Sequence, residues 1–423
     1  MTSATLETST TTTLPAWLEA IQSLSLHRFQ ELPLPKRSDE LWRFSALAWQ
    51  EKALQAQPGQ PDLGDASPAA PPAYADAEQM IFCNNHVVKK AAAEMPEGVI
   101  WKPLSQALVE DEALVRQYFS QHETLLGGDK FYHHHFAHWQ DGVFIYVPDG
   151  VKVDALLQNV FMHSGEQTLV TPHTLIVAGQ NAEVRVLDTF RSTDPDASGF
   201  ACGVNDIILE SGAKVHYINL QQWSHKTVAY QSNTTVVDKG AQALALTLHL
   251  GGEFTRHESV SYLRGEGGRS DMLATTVADH KFQHDQRSYQ IHEKGHTTSD
   301  LLYKNSLADE SRTVFSGLIK VSEGAHYTDA YQKVRNLLLG DTAEATSMPG
   351  LEILADNVRC SHGATSGEID ADELFYLLAR GIPTELAHTL IVQGFLQEPF
   401  GRLEDAALEN YLAQHLAARV QAR

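Results

Sequence analysis

The residues best placed to do chemistry are a thiol and an imidazole two positions apart, Cys360 and His362, in the run Arg359-Cys360-Ser361-His362-Gly363-Ala364-Thr365. On a strand, residues two apart point to the same face. The spacing therefore offers a soft sulfur donor and a borderline nitrogen donor to one metal ion or one cluster edge. Two donors alone do not close a site, and a buried Cys beside a hydrogen-bonded His has the same pattern. A second run, Tyr132-His133-His134-His135-Phe136-Ala137-His138, brings His133, His135 and His138 close together and invites a metal-site reading. No carboxylate stands at a useful distance and the run precedes a strand, so exposed loop histidines with adventitious Ni or Zn binding are expected there. The chain has no G-x-x-x-x-G-K-[ST] or G-x-S-x-G sequence. Gly265-Glu266-Gly267-Gly268 reads as a turn.

Cysteine supply limits what this thiol can do. Cys83, Cys202 and Cys360 are three scattered residues with no C-x-x-C pair, so no disulfide framework is indicated. A self-contained iron–sulfur cluster takes four thiolates, more than the chain owns. Any metal or cluster here must be completed by other ligand types or by a second chain. The 32 Lys+Arg against 53 Asp+Glu give a net charge of −21, which repels phosphate backbones and argues against nucleic acid. No apolar run approaches the ~20 residues of a membrane helix. Met1 to Leu14 is Thr- and Ser-rich without Lys, Arg or an apolar stretch, so neither a secretory signal nor a transit peptide is expected and the cytosol is the expected compartment.

The elements that must position Cys360 and His362 read as follows. Residues 1–130 form a mixed, mostly helical N-terminal region, with Leu14, Trp17, Leu18, Ile21 and Leu24 at helical spacing behind Pro15. A Pro- and Gly-rich stretch over 55–77 reads as a linker. Strands are expected at Met80–Cys83 and Val99–Leu104, and a helix over Ser105–Phe119. Residues 131–368 are a mainly β core. Short alternating strands recur, closed by turn glycines Gly150, Gly179, Gly212 and Gly240 at steps of 29, 33 and 28 residues. That loose period suggests stacked coils, as in a parallel β-helix. A jelly roll or sandwich uses the same ingredients, and periodicity alone does not separate them. Residues 369–423 return to helix. Asp370 followed by Glu373 makes a capping start, Leu374, Phe375, Leu377 and Leu378 form an apolar face, and Gly381 is a stop. Two more helices, opened by Pro383 and Arg402, follow, and pattern alone favours a cap on the solenoid end over a docking platform.

Several ordered motifs resemble those of the SufB/SufD family of iron–sulfur cluster assembly scaffolds. They are Asp356-Asn357-Val358-Arg359-Cys360-Ser361-His362-Gly363-Ala364-Thr365-Ser366-Gly367, Leu374 through Ile382, Leu301-Leu302-Tyr303-Lys304, Phe315 through Val321, Thr328 through Gln332, Asn336 through Leu339, Pro349 through Ile353, and Arg37-Ser38-Asp39-Glu40-Leu41-Trp42-Arg43-Phe44. The Cys-Ser-His-Gly-Ala form at 360–364 and the scarcity of cysteine resemble the SufD side of the family rather than SufB. The resemblance implies a right-handed parallel β-helix flanked by helical regions and a non-catalytic scaffold. It implies a heterodimer with a SufB-like paralogue, a homodimer when alone, and a SufC-like ABC-type ATPase docked on the C-terminal helices. It further implies that His362, with Cys360 as a supporting or alternate ligand, helps hold a nascent Fe–S cluster shared with SufB, ATP acting only through the partner. Cluster type, iron and electron source, stoichiometry and any flavin on the assembled complex are not readable from the sequence. Two rivals stand beside this reading: a purely structural partner that positions the ATPase, and a solenoid enzyme acting on acidic sugars.

Overall fold

The computed structural model describes residues 15–60, 74, 77–92, 94–122 and 124–422. Most of the expected linker over 55–77 lies outside these residues.

Between residues 143 and 367 nearly all the chain is strand, in two sheets of eleven and ten strands between which consecutive strands alternate from His173–Ala178 onward. Each core strand pairs in parallel with the strands one coil before and after it, in long unbroken register. Ser198–Leu209 pairs residue for residue with Lys226–Val237, and Gln283–His292 with Arg312–Val321. This is a parallel β-helix, and the sandwich alternative is set aside by the pairing itself. A sandwich joins antiparallel strands through hairpins, whereas here each coil lies on the next.

The turn glycines explain how coils join. Gly150, Gly212 and Gly240 have φ of 70°, 74° and 64°, a region costly for residues with a Cβ. Their N–H groups donate to Gln180, Lys239 and Glu266 carbonyls of the following coil at 2.7, 2.8 and 3.0 Å. The repeat seen in the sequence is thus a column of turns, each bonded to the next.

Stacking in register builds ladders of like side chains inside the solenoid. Phe82, Phe161 and Phe190 are register partners whose rings stack at 5.0 and 5.2 Å. The early coils are filled mainly by Val, Ile, Leu and Phe. Polar residues enter the interior of the later coils, where Asn305 bonds Asn336 at 2.8 Å and Asn336 bonds Ser366 at 3.2 Å.

The two ends of the solenoid differ. At the N-terminal end both sheets finish in antiparallel pairs, Gln79–Cys83 with His86–Lys89 and Ile100–Pro103 with Val143–Val147. Helices α1 (Ala16–Glu31), α2 (Trp49–Ala53), α3 (Leu104–Glu110), α4 (Glu112–Tyr118) and α5 (Asp129–His138) gather around that half. The expected single helix over 105–119 is two, broken at Asp111. At the other end the sheets stop at Glu344–Ile353 and Arg359–Gly367, with nothing among the described residues paired beyond them.

The C-terminal helices are α6 (Ala371–Ala379), α7 (Thr384–Gln397) and α8 (Ala406–Gln421). Asp370 caps α6, accepting from the Asp372 and Glu373 N–H groups at 2.8 and 3.2 Å, and Gly381 ends it at φ 81°. The third helix starts at Ala406, after a short 3-10 turn, with Asp405 as its cap. These helices do not cap the solenoid end. Val392, Leu396, Leu408, Leu412, Leu416 and Val420 of α7 and α8 pack on the outward leucines of the ten-stranded sheet, among them Leu220, Leu246 and Leu248. That flank is apolar, as is the outer face of the other sheet under the N-terminal helices, and the C-terminal helices lie along it. The terminal coil stays open.

Candidate functional site

The last strand, Arg359–Gly367, carries Cys360 and His362. Among the described residues it pairs on one side only, Ala330 with Cys360, Gln332 with His362, Val334 with Ala364 and Asn336 with Ser366. On the neighbouring strand these four partners are buried and alternate with exposed Tyr331, Lys333 and Arg335. Register partners in a parallel sheet share a face. Cys360 and His362 therefore point along the inward face of the solenoid, yet His362 is exposed because no further coil covers it. By the same register, Ser347, Pro349, Leu351 and Ile353 of the opposite sheet carry the inward face up to this mouth. The donor pair found in the sequence thus sits where the stack of coils runs out.

The two side chains differ in readiness. Cys360 is half-buried and packs against the apolar group Ile319, Val321, Ala325 and Ala330. That burial, with the Asp329 carboxylate adding to it, pushes its thiol above the ordinary value. At neutral pH it is a thiol, not a thiolate, and a poorer ligand. His362 stands clear in solvent. Cys83 and Cys202 are both buried, and Cys202 Sγ donates to the Phe131 carbonyl at 3.1 Å. Of the three thiols, only Cys360 is near the surface.

The histidine run is not an exposed loop. It forms the last two turns of α5, and His134 and His135 are buried. Helical spacing places His138 next to His134, rings 4.4 Å apart. His135 points elsewhere, its Nδ1 against the Cys202 carbonyl at 2.7 Å and its Nε2 against His173 Nδ1 at 3.1 Å. Burial lowers His134 to about 3 and His135 to about 4. The run fills the seam between helix and solenoid, and its histidines do not converge. Another imidazole cluster has no signature in the sequence because its members come from three strands: His249, His257 and His284, inside the solenoid, with ring centroids 4.9 and 5.6 Å from His249. Burial keeps all three neutral. Among the described residues no group of three His, Cys, Asp or Glu is placed to hold a metal ion.

Next to the open strand lies a second unpaired surface. Helix α6 buries none of its residues, and Phe375 and Tyr376 are 71% and 57% exposed. Leu386 and Leu390 of α7 continue this apolar patch. The sequence pattern marked the α6 face as apolar but gave no sign that it would stay uncovered. A cleft of about 530 Å3, lined by Asn336, Thr365, Glu373, Leu390 and Phe395 among others, joins the end of the last strand to α6 and α7. These helices therefore border the strand that carries His362. No described helix is long and apolar enough to cross a membrane.

Comparison with known proteins adds the lineage. Residues 161–395 match the model for the SUF system FeS cluster assembly SufBD core domain, and residues 74–159 match that for the SufBD N-terminal region. The chain is 26% identical over 401 residues to an iron–sulfur cluster assembly SufBD family protein of Staphylococcus saprophyticus, covering 91% of this chain and 85% of that one. It is 26% identical over 404 residues to a SufBD family protein of Synechocystis, covering 92% and 88%. It is 25% identical over 401 residues to the iron–sulfur cluster assembly protein SufB of Bacillus subtilis, covering 91% and 85%. The core match alone spans more than half of the chain, over the very coils that end in Cys360 and His362, and the chain belongs to the SufBD family of SUF-system iron–sulfur cluster assembly proteins.

Proposed function

We propose that this chain is the SufD-type scaffold subunit of a cytosolic cluster-assembly complex. Its open solenoid end seats against a SufB-like paralogue, and α6 with α7 docks a SufC-type ATPase. His362 supplies a ligand to the nascent cluster at the subunit boundary, with Cys360 as the supporting or alternate donor. The observation that carries this reading is the terminal strand, with inward-facing exposed His362 and half-buried Cys360 at a coil end that has no pairing partner among the described residues. A strand edge of this kind is a template for another chain. Such a mouth brings a donor to a shared site without enclosing one, which suits a chain short of thiolates. The subunit itself is non-catalytic in this account. ATP acts through the partner, and force applied at α6 and α7 reaches the last strand across the shared cleft.

The test is cluster maturation in cells that depend on this chain. His362→Ala should fold and assemble normally, because replacing an exposed side chain costs little stability, while maturation is lost. Cys360→Ser should lower maturation less. Normal maturation with His362→Ala, together with loss on truncation before Asp370, would instead favour a purely structural partner that positions the ATPase.

A further inference from the structure

The stretch Arg37–Phe44 takes no part in the open end or the exposed helices. Its inner half is a clamp. Trp42 is buried, its ring lies under the Arg256 guanidinium at 3.6 Å, and its Nε1 donates to the Gly127 carbonyl at 2.8 Å. Its outer half behaves otherwise. Phe44 has φ of 68° and is 53% exposed. A bulky residue in left-handed backbone is a strained outlier. Such strain persists only where the surroundings over-determine it. The surroundings do so here. Buried Arg287 donates to the Arg43 carbonyl at 3.2 Å and to Ser45 Oγ at 3.0 Å, and Ser45 in turn donates to Asp285.

What this pinned turn presents is a pair of guanidiniums and a ring. The Arg43 guanidinium lies 5.0 Å from the Phe44 ring centre, a cation–π contact that fixes its direction. Next to them is a recess of about 330 Å3 between the N-terminal segment and the outer face of the last coils, walled by Arg37, Arg43, Phe44, Gln283, Arg312 and Glu344. Arg312 has Glu344 at 3.2 Å. The Arg37 and Arg43 side chains have no carboxylate partner among the described residues. In a chain with 53 acidic residues against 32 basic ones, carboxylates to neutralise them are plentiful. Three guanidiniums with one carboxylate around a hollow give a local positive field in a negative molecule.

We propose that this recess binds a small phosphate-bearing anion of at least two negative charges. Each guanidinium offers a planar fork of N–H donors that matches two phosphate oxygens. The Gln283 amide adds a neutral donor, and the Phe44 ring provides a flat wall. The proposal is independent of the roles given to Cys360 and His362.

Calorimetric titration of the full chain at about 0.15 M ionic strength, with inorganic pyrophosphate and separately with ADP, tests it. Saturable one-to-one binding is expected, weakened about tenfold or more in Arg37→Ala and again in Arg43→Ala, as for loss of a charged hydrogen bond. Both side chains are on the surface, and the Arg43 carbonyl that anchors the turn survives the substitution. Phe44→Gly relieves the left-handed strain, so it should keep or raise the melting temperature while loosening binding. Tighter binding of ADP assigns the recess to a nucleotide's phosphates, and equal binding assigns it to the free diphosphate. No saturable binding of either anion, or an affinity unchanged in the double arginine variant, overturns the proposal.

Discussion

At the residue scale, His362 and Arg256 mark opposite ways of placing a polar side chain. His362 is on an inward-facing position whose coil has no successor, so it costs the fold almost nothing and remains available. Arg256 is fully buried, bonded to Glu258 at 2.7 Å and to Asp285 at 2.6 Å, with the Leu126 and Leu41 carbonyls at 2.6 and 3.1 Å. Arg287 pairs with the same Asp285 at 2.5 Å. Burial works against both Arg256 and Asp285, but each holds the other charged. Removing one member strands the rest. Arg256→Met should therefore cost about 3–5 kcal/mol, read as a fall in the urea midpoint, with Trp42 losing its cover. A loss under about 1 kcal/mol would show that the N-terminal clamp is not held by these charges. The Cys360–His362 pair was legible in the sequence because two-residue spacing on a strand is a local property. The Arg256 network was not, since its members are separated by up to 244 residues and its charged members look like ordinary surface charges.

At the element scale, what decides whether a patterned helix is buried is the surface it meets. The apolar faces of α6, α7 and α8 read alike in the sequence. Helix α8 lands on the leucine flank and buries Leu408, Leu412, Leu416 and Val420, whereas α6 buries nothing. The last turn of α8 is fixed by Arg419, which holds both Asp279 carboxylate oxygens at 2.7 Å. Burial would raise Asp279, but Arg419 and His280 outweigh it and bring the carboxyl down to about 2 from its ordinary 3.8. A folded-state value below the unfolded one adds stability that is complete above about pH 4 and fades as pH falls through about 2. Arg419→Ala should therefore destabilise by about 2 kcal/mol near neutral pH, and the gap to wild type should narrow at about pH 3. Urea midpoints at the two pH values check this, and an equal gap at both would contradict it. The same dependence on context explains the histidine run. Spacing showed four imidazoles within one short segment, but the helix that buries two of them exists through its contacts with α1 and the solenoid, which are remote in sequence.

At the scale of the whole molecule, the solenoid was legible because its turns repeat, and the glycine columns at 150, 212 and 240 are that repeat made physical. The asymmetry of its ends was not. The antiparallel pairs that finish one end and the unpaired strand that leaves the other open depend on where the chain stops stacking, which no local pattern records. That asymmetry, together with three thiols of which two are sealed, is the centre of the proposal that this chain presents ligands at an edge and that a second subunit completes the site. The most direct test is anaerobic iron and sulfide reconstitution of the purified chain alone and again with a SufB-type partner, followed by iron and sulfide content per chain. The account predicts no stable stoichiometric cluster on the isolated chain, and one that depends on His362 once the partner is present. A stable, stoichiometric cluster on the chain alone would contradict it.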